Sequence, residues 1–123
     1  MNYFSGNFST NGITCNRAIT GIGFQPSYLR FTLSQKTTTS EAFVHFSEGF
    51  TDGTSQSCHS LYWDSTGGQS KQFTDKVINH VNRVGGTLTD VIKATFVSFD
   101  ADGLTLNFST TTSGYRVHVE AFE

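Results

Sequence analysis

The sequence predicts one all-β domain over residues 1–123, an antiparallel β-sandwich of about seven to eight short strands. Apolar and polar residues alternate in three consecutive C-terminal runs, at 94–99, 104–108 and 115–122, which is the period of a half-buried strand. Thr and Phe favour pleated surfaces, and 12 Gly with a single Pro suit many strands joined by tight turns. Asp102-Gly103 is a typical hairpin turn, so we expect the three runs to form one meander.

Shorter strand signals precede this meander. They predict strands over 3–8, 13–22, 28–33, 42–46 and 55–63, and a further strand from about Leu88. Cys15 and Ile19 are candidate core residues of the second strand, and Leu29, Phe31 and Leu33 lie on one side of the third. The strand 42–46 is expected to be buried on both faces at its middle. The polar or Gly-containing segments between them are expected to be a loop at 35–40, a turn at 49–53 and a loop at 64–70.

The segment 73–84 fits two structures. As a helix it would have Thr74 as N-cap and Gly85 as a stop, with an apolar face formed by Phe73, Val77, Ile78, Val81 and Val84. As a strand over 76–82 it would place Val77, Asn79 and Val81 on one side. The strand is slightly favoured because the neighbouring predicted strands have similar lengths.

Charge and hydropathy exclude several classes of partner. The formal net charge is -2 and the 8 basic residues are scattered, so we expect neither nucleic-acid binding nor docking on an anionic membrane. No apolar run approaches the ~20 residues of a membrane-spanning helix, and the first residues do not resemble a signal peptide. The low charged fraction, 15%, together with many hydroxyl and aromatic side chains, suits a surface that is partly covered by neighbouring molecules.

Residues capable of metal or nucleophile chemistry are spread along the chain. Cys15 and Cys58 lack the spacing of zinc ligands, and they are expected to be either one disulfide or, preferably, two buried thiols. The four histidines are interpreted as scattered structural residues, and His118 is expected to face solvent or a neighbouring subunit; they are His45, His59, His80 and His118. The carboxylates of Asp100 and Asp102 are interpreted as turn residues rather than calcium ligands. We therefore predict that the protein is not an enzyme and that it has no catalytic site, metal or cofactor.

Tyr62, Trp63 and Asp64 are the candidate ligand-binding residues. An exposed aromatic ring can stack on the apolar face of a sugar, and an adjacent carboxylate can accept hydrogen bonds from sugar hydroxyls. The same Trp63 could instead pack in the core or in a subunit interface. The sequence leaves these alternatives open.

Three motifs resemble those of bacteriophage and prophage virion proteins. They are Phe8-Ser9-Thr10-Asn11-Gly12 with Ile19-Thr20-Gly21-Ile22-Gly23-Phe24-Gln25-Pro26, then Gly49-Phe50-Thr51-Asp52-Gly53-Thr54, and the run from Phe96 to Phe108. The resemblance implies a tail, fibre or head-decoration protein located in the virion, made in the host cytoplasm without a signal peptide. Its implied partners are copies of itself, as in a homotrimer or another symmetric oligomer, and other virion proteins. These motifs consist of turns and core strands, so they indicate a scaffold rather than a chemistry.

A weaker resemblance is to the H-type lectin domain, a small antiparallel β-sandwich that assembles as a trimer. It is carried by Gly103-Leu104-Thr105-Leu106 and Tyr115-Arg116-Val117-His118-Val119. Together the two resemblances predict a jelly-roll or H-type-lectin-like sandwich that is a non-enzymatic structural and adhesive virion protein. The alternative is a lectin-like module that recognises host surface glycans.

Overall fold

The computed structural model describes residues 1–34 and 44–123, and these residues form two antiparallel sheets. The first sheet has six strands: β1 (Tyr3–Ser9), β3 (Tyr28–Leu33), β4 (Val44–Thr51), β5 (Gln56–Asp64), β6 (Gly67–Phe73) and β10 (Arg116–Phe122). The second has four: β2 (Asn16–Thr20), β7 (Ile78–Val84), β8 (Thr87–Asp100) and β9 (Gly103–Thr110). Their spatial orders are β1-β10-β3-β4-β5-β6 and β2-β9-β8-β7. The predicted all-β antiparallel sandwich is confirmed, although the described part has ten strands rather than seven or eight.

Alternating side chains from both sheets form one apolar core. On β3, Leu29, Phe31 and Leu33 are buried as the period of two predicts. The second sheet contributes residues from β7, β8 and β9, and β10 contributes Val117, Val119 and Ala121. The core-facing pattern of the C-terminal strands was thus readable from the sequence.

The predicted C-terminal meander is wrong at its third strand. The β8 and β9 strands form the expected hairpin, but β10 pairs with β1 and β3 in the other sheet. The buried Thr10 anchors this crossing, because its N–H donates to the Tyr115 carbonyl at 2.8 Å and its hydroxyl donates to the Thr112 carbonyl at 2.6 Å. Alternation specifies which side of a strand is buried but not which strand lies beside it.

Several predicted connections are strands in the structure. The segment 64–70, predicted to be a loop, contains a turn at Ser65-Thr66 and most of β6. The turn predicted at 49–53 starts later in the structure, because β4 continues to Thr51. Sequence patterning missed β6 because it is a polar edge strand that contributes no residue to the apolar core.

The other departures concern β4, β7 and β8. The segment 73–84 contains β7, so its favoured strand interpretation is confirmed, with the bounds Ile78–Val84 rather than 76–82, and its helical alternative is wrong. The β4 strand is not buried on both faces, since Val44 and Phe46 point outwards and His45 points inwards. The two strands expected between Leu88 and Phe99 are one strand, β8. The predicted loop at 35–40 and the first two residues of the predicted strand 42–46 lie outside the described residues.

Within residues 1–34 and 44–123, no helix has the length and apolarity needed to cross a bilayer.

The two cysteines occupy different environments and are both free thiols. Cys58 is buried on the inner side of β5, and this burial raises the pKa of its thiol to about 12. Cys15 is exposed just before β2, so the alternative of one disulfide is excluded, and the favoured prediction of two buried thiols holds for Cys58 alone.

We therefore expect one thiol per native chain to react with a thiol-specific disulfide reagent at pH 8, because nucleophilic attack requires an accessible thiolate. The second thiol should react only in denaturant. A spectrophotometric assay on wild type, Cys15→Ser and Cys58→Ser checks this. Fast native labelling of Cys15→Ser would contradict the structure.

Candidate functional site

Four exposed apolar side chains lie together on the outer face of the six-stranded sheet. They project from β4 and β5, and we call them the Trp63 patch: Val44, Phe46, Leu61 and Trp63. The strand register places Val44 directly opposite Trp63 and Phe46 directly opposite Leu61. Directly opposed side chains on one face of an antiparallel pair are in reach of each other, so the patch is a contiguous surface.

The indole of Trp63 lies against a glycine of β6. Gly68 is its cross-strand partner, and a Cβ added at Gly68 would lie 2.4 Å from Trp63 Cε3. The ring therefore lies over the bare backbone of β6 and remains 61% exposed. Packing of Trp63 in the core of this chain is excluded by that exposure, whereas an intermolecular contact is compatible with it.

The structure separates the three predicted binding residues. Tyr62 points into the sandwich, and its hydroxyl donates to Asp64 Oδ2 at 3.0 Å. Arg83 Nε donates to the same Asp64 oxygen at 2.7 Å, and this bond, with those from Thr66, holds the pKa of the Asp64 carboxyl well below its usual range. Consecutive strand residues face opposite sides, so of this trio Trp63 projects from the outer face of β5. Ligand binding by the trio stays a prediction.

A shallow depression lies at the other end of β4 and β5 on the same outer face. It has a volume of about 360 Å³ and is lined by Tyr28, Arg30, Glu48, Gly49, Phe50, Ser57 and His59. The rings of Tyr28 and Phe50 are nearly parallel, with centroids 6.2 Å apart, and Arg30 Nη2 donates to Glu48 Oε2 at 2.8 Å. Sequence analysis missed this group because it assigned Phe50 to a turn rather than to an outward position of β4.

Inside the sandwich, polar side chains of β4 and β5 meet polar side chains of β7. We call this group the buried polar seam; it comprises His45, Ser47, Ser60, Asn79, His80 and Asn82. Its hydrogen bonds join Ser47 Oγ to His80 Nδ1 and Ser60 Oγ to Asn79 Oδ1, the latter at 2.7 Å. The expectation of scattered histidines is therefore wrong for one pair, since the rings of His45 and His80 lie 4.7 Å apart.

The seam resembles a Ser–His pair chemically but has no access to a substrate. Ser47 and His80 are almost completely buried, so a nucleophilic hydroxyl here could not reach a dissolved molecule. Burial, reinforced by the charge that a protonated His45 would carry, lowers the pKa of His80 to about 3 and keeps its ring neutral. Over the described ranges, no group of three or more His, Cys, Asp or Glu side chains is arranged to hold a metal ion.

The remaining sequence candidates make structural hydrogen bonds. His118 lies on the outer side of β10 and bonds to Ser5 and Asn7 of β1. Asp102 accepts the backbone N–H groups of Gly21 and Gly23 at 3.1 and 2.6 Å, so its carboxylate ties the β8–β9 hairpin to the segment after β2. The turn interpretation of Asp102 agrees with this placement.

Comparisons with known protein families, with curated protein sequences and with solved structures find no match for this chain.

The buried His80 makes stability depend on pH. An unfolded imidazole takes up a proton near pH 6.5, whereas folded His80 stays neutral until about pH 3. Between these values the unfolded chain binds more protons, so the free energy of unfolding should fall by about 1.4 kcal/mol per pH unit on acidification. This window lies mostly above the titration of unfolded carboxylates.

Urea unfolding followed by circular dichroism at pH 7, 5.5 and 4.5 measures this slope. We expect His80→Asn to be less stable at pH 7 and to show a shallower slope. His59→Asn, which changes an exposed histidine on β5, is the matched control and should retain the wild-type slope. Equal slopes in wild type and His80→Asn would refute the assignment.

Proposed function

We propose that this chain is a non-enzymatic structural and adhesive protein of a phage virion, a tail, fibre or head-decoration component. It works by packing the outer face of its six-stranded sheet against copies of itself and by presenting the rest of that face to other molecules. The observation that carries the proposal is the Trp63 patch, a contiguous apolar surface on the two strands β4 and β5.

The chemistry of the patch favours a protein neighbour. Contiguous exposed apolar surface is typical of protein contacts, and aromatic residues are enriched at the centres of interfaces. Trp63 and Phe46 supply large rings, while Leu61 and Val44 supply aliphatic surface around them. Burying such side chains against another protein removes apolar area from water, which is favourable by about 25 cal/mol per Å².

The charges beside the patch favour a second copy of this chain as that neighbour. On the described part of this face, Arg30 and Glu48 form an ion pair, with Nη2 and Oε2 2.8 Å apart. The four side chains of the patch are uncharged, so two copies of the patch can meet without bringing like charges together. The low charged fraction of the chain, 15%, and the motif resemblance to virion proteins support the same proposal.

Light scattering coupled to size exclusion tests the assembly. Wild type should elute as a symmetric oligomer, such as a trimer, whose mass is a multiple of 13.5 kDa. The double variant Leu61→Ser with Trp63→Ser should associate at least about tenfold more weakly, because interface energy concentrates in a few buried side chains.

Val97→Ser provides the matched control for this experiment. Val97 lies on β8 of the other sheet and is 46% exposed, close to the 43% of Leu61. It should leave the oligomer intact. A wild-type protein that remains monomeric at high micromolar concentration would contradict the proposed self-assembly.

A second candidate function, recognition of host surface glycans at Trp63, is favoured by one specific observation. The indole lies over Gly68 and is 61% exposed, as an aromatic platform for a sugar ring would be. In this case bacterial surface glycans should quench Trp63 fluorescence, and the wild-type oligomer should keep the residue accessible.

This candidate and self-assembly make opposite predictions for Trp63. The residue is the single Trp of the chain, so its fluorescence reports on that side chain alone. Glycan binding measured by calorimetry should disappear in Trp63→Ala while the oligomer persists. Loss of the oligomer in Trp63→Ala without any glycan response would favour self-assembly.

A further inference from the structure

The depression on the outer face combines two apolar rings with a fixed donor and acceptor. Tyr28 and Phe50 are each exposed by about a third, at 36% and 37%, and their nearly parallel rings line the cavity. Its volume of about 360 Å³ falls within the range of small-ligand pockets. The side chains therefore offer an apolar surface and polar groups to the same small molecule.

The rings are held in place by their neighbours on the sheet. The Tyr28 ring lies 5.7 Å from that of Phe122, and the Phe122 ring lies 5.1 Å from that of Tyr3. These aromatic rings form a row across β1, β10, β3 and β4, and Tyr28 and Phe50 lie at one end of it. Such preorganisation lowers the entropy lost when a ligand binds.

The polar groups suit a ligand with many hydroxyls. The guanidinium of Arg30 has N–H donors beyond the one bonded to Glu48, and the Glu48 carboxylate has further lone pairs. Ser57 adds a hydroxyl, and the exposed His59 is the cross-strand partner of Glu48. A hydroxyl both donates and accepts, so adjacent donor and acceptor groups can bind vicinal hydroxyls.

The charge around the depression disfavours an anionic ligand. Arg30 is paired with Glu48 and also lies opposite Glu120 of β10, so one guanidinium faces two carboxylates. Among the described residues that line the depression, Arg30 is the one Lys or Arg, and Glu120, which accepts from the Tyr3 hydroxyl, adds a second carboxylate beside it. A neutral ligand is therefore favoured over a nucleotide or a sialic acid.

We propose that this depression is a binding site for a neutral hexopyranose, such as a terminal unit of a surface glycan. The apolar face of the sugar packs on Tyr28 and Phe50, and its hydroxyls bond to Arg30 and Glu48. This inference deepens the adhesive part of the proposed function and rests on it. Phe50 lies four residues from Phe46, about 13 Å along β4, so the depression and the Trp63 patch are separate parts of the same outer face.

The test is a nuclear magnetic resonance titration of the full chain with the methyl glycosides of glucose, galactose, mannose and N-acetylglucosamine. At least one should shift the signals of Tyr28, Arg30 and His59, with a Kd of about 1–10 mM. No shifts at these residues up to about 50 mM of each sugar would overturn the proposal, as would shifts centred on Trp63. Binding confined to an anionic sugar would also overturn it.

Two phenylalanines on the same strand and face provide a matched pair of variants. Phe46 and Phe50 are both 37% exposed, one in the Trp63 patch and the other in the depression. Phe50→Ala should weaken sugar binding at least about tenfold, whereas Phe46→Ala should leave it unchanged. Glu48→Gln, which keeps the shape of the side chain, should weaken it by a similar factor. Equal effects of Phe46→Ala and Phe50→Ala would contradict the site.

The two proposals can fail separately. Phe46→Ala should weaken the oligomer and spare sugar binding, while Phe50→Ala should do the reverse. A monomeric wild type with Phe50-dependent binding would refute self-assembly and retain the sugar site. An oligomer without any sugar response would refute the site alone. If Phe50→Ala loses its native circular dichroism, the wild-type titration tests the site alone: shifts at Tyr28, Arg30 and His59 support it, and their absence refutes it.

Discussion

The contact between β7 and the β4–β5 pair is the constraint on which both sheets depend. The inner side of these strands carries imidazole, hydroxyl and amide groups, and Gly49 permits close approach there, since a Cβ at that position would lie 1.7 Å from the Val77 carbonyl oxygen. A buried polar group left without a partner costs about 1–3 kcal/mol. The sandwich therefore closes in a register that pairs Ser60 with Asn79 and Ser47 with His80.

This constraint also determines which residues reach the outer face. Strand side chains alternate, so fixing His45 and Tyr62 inwards turns Phe46 and Trp63 outwards. A slip of one residue would bury Glu48 and expose His45. Such a slip would cost the seam hydrogen bonds and bury an unpaired carboxylate. The buried seam is thus what fixes both the Trp63 patch and the depression in position, although none of its residues would touch a ligand.

Sequence patterning was sufficient where one side of a strand is continuously apolar, as in the strand containing Leu29 and Phe31. It failed where burial depends on partners distant in the chain. Nothing local in residues 116–122 distinguishes pairing with β9 from pairing with β1, and β6 is polar on both sides. A signal for the seam was present, because His45, Ser47, Gly49 and Thr51 are small or polar residues at a period of two. No single one of these residues indicates a buried position, because their burial depends on the polar side chains of β7 that lie opposite them.

The sheet edges indicate how this face can associate. On β6, the edge strand next to Trp63, the exposed positions are Gly68, Ser70 and Gln72, and on β1 they include Ser5 and Asn7. Lys71 of β6 lies on its inner side and pairs with Asp90, and an inward-pointing charged residue at an edge disfavours the addition of another strand. The exposed apolar side chains of the Trp63 patch instead occupy β4 and β5, which lie inside the sheet order. In the proposed assembly, the contact is therefore face to face, through side chains rather than through new backbone hydrogen bonds. Side-chain substitutions such as Leu61→Ser can then weaken assembly without disturbing the fold.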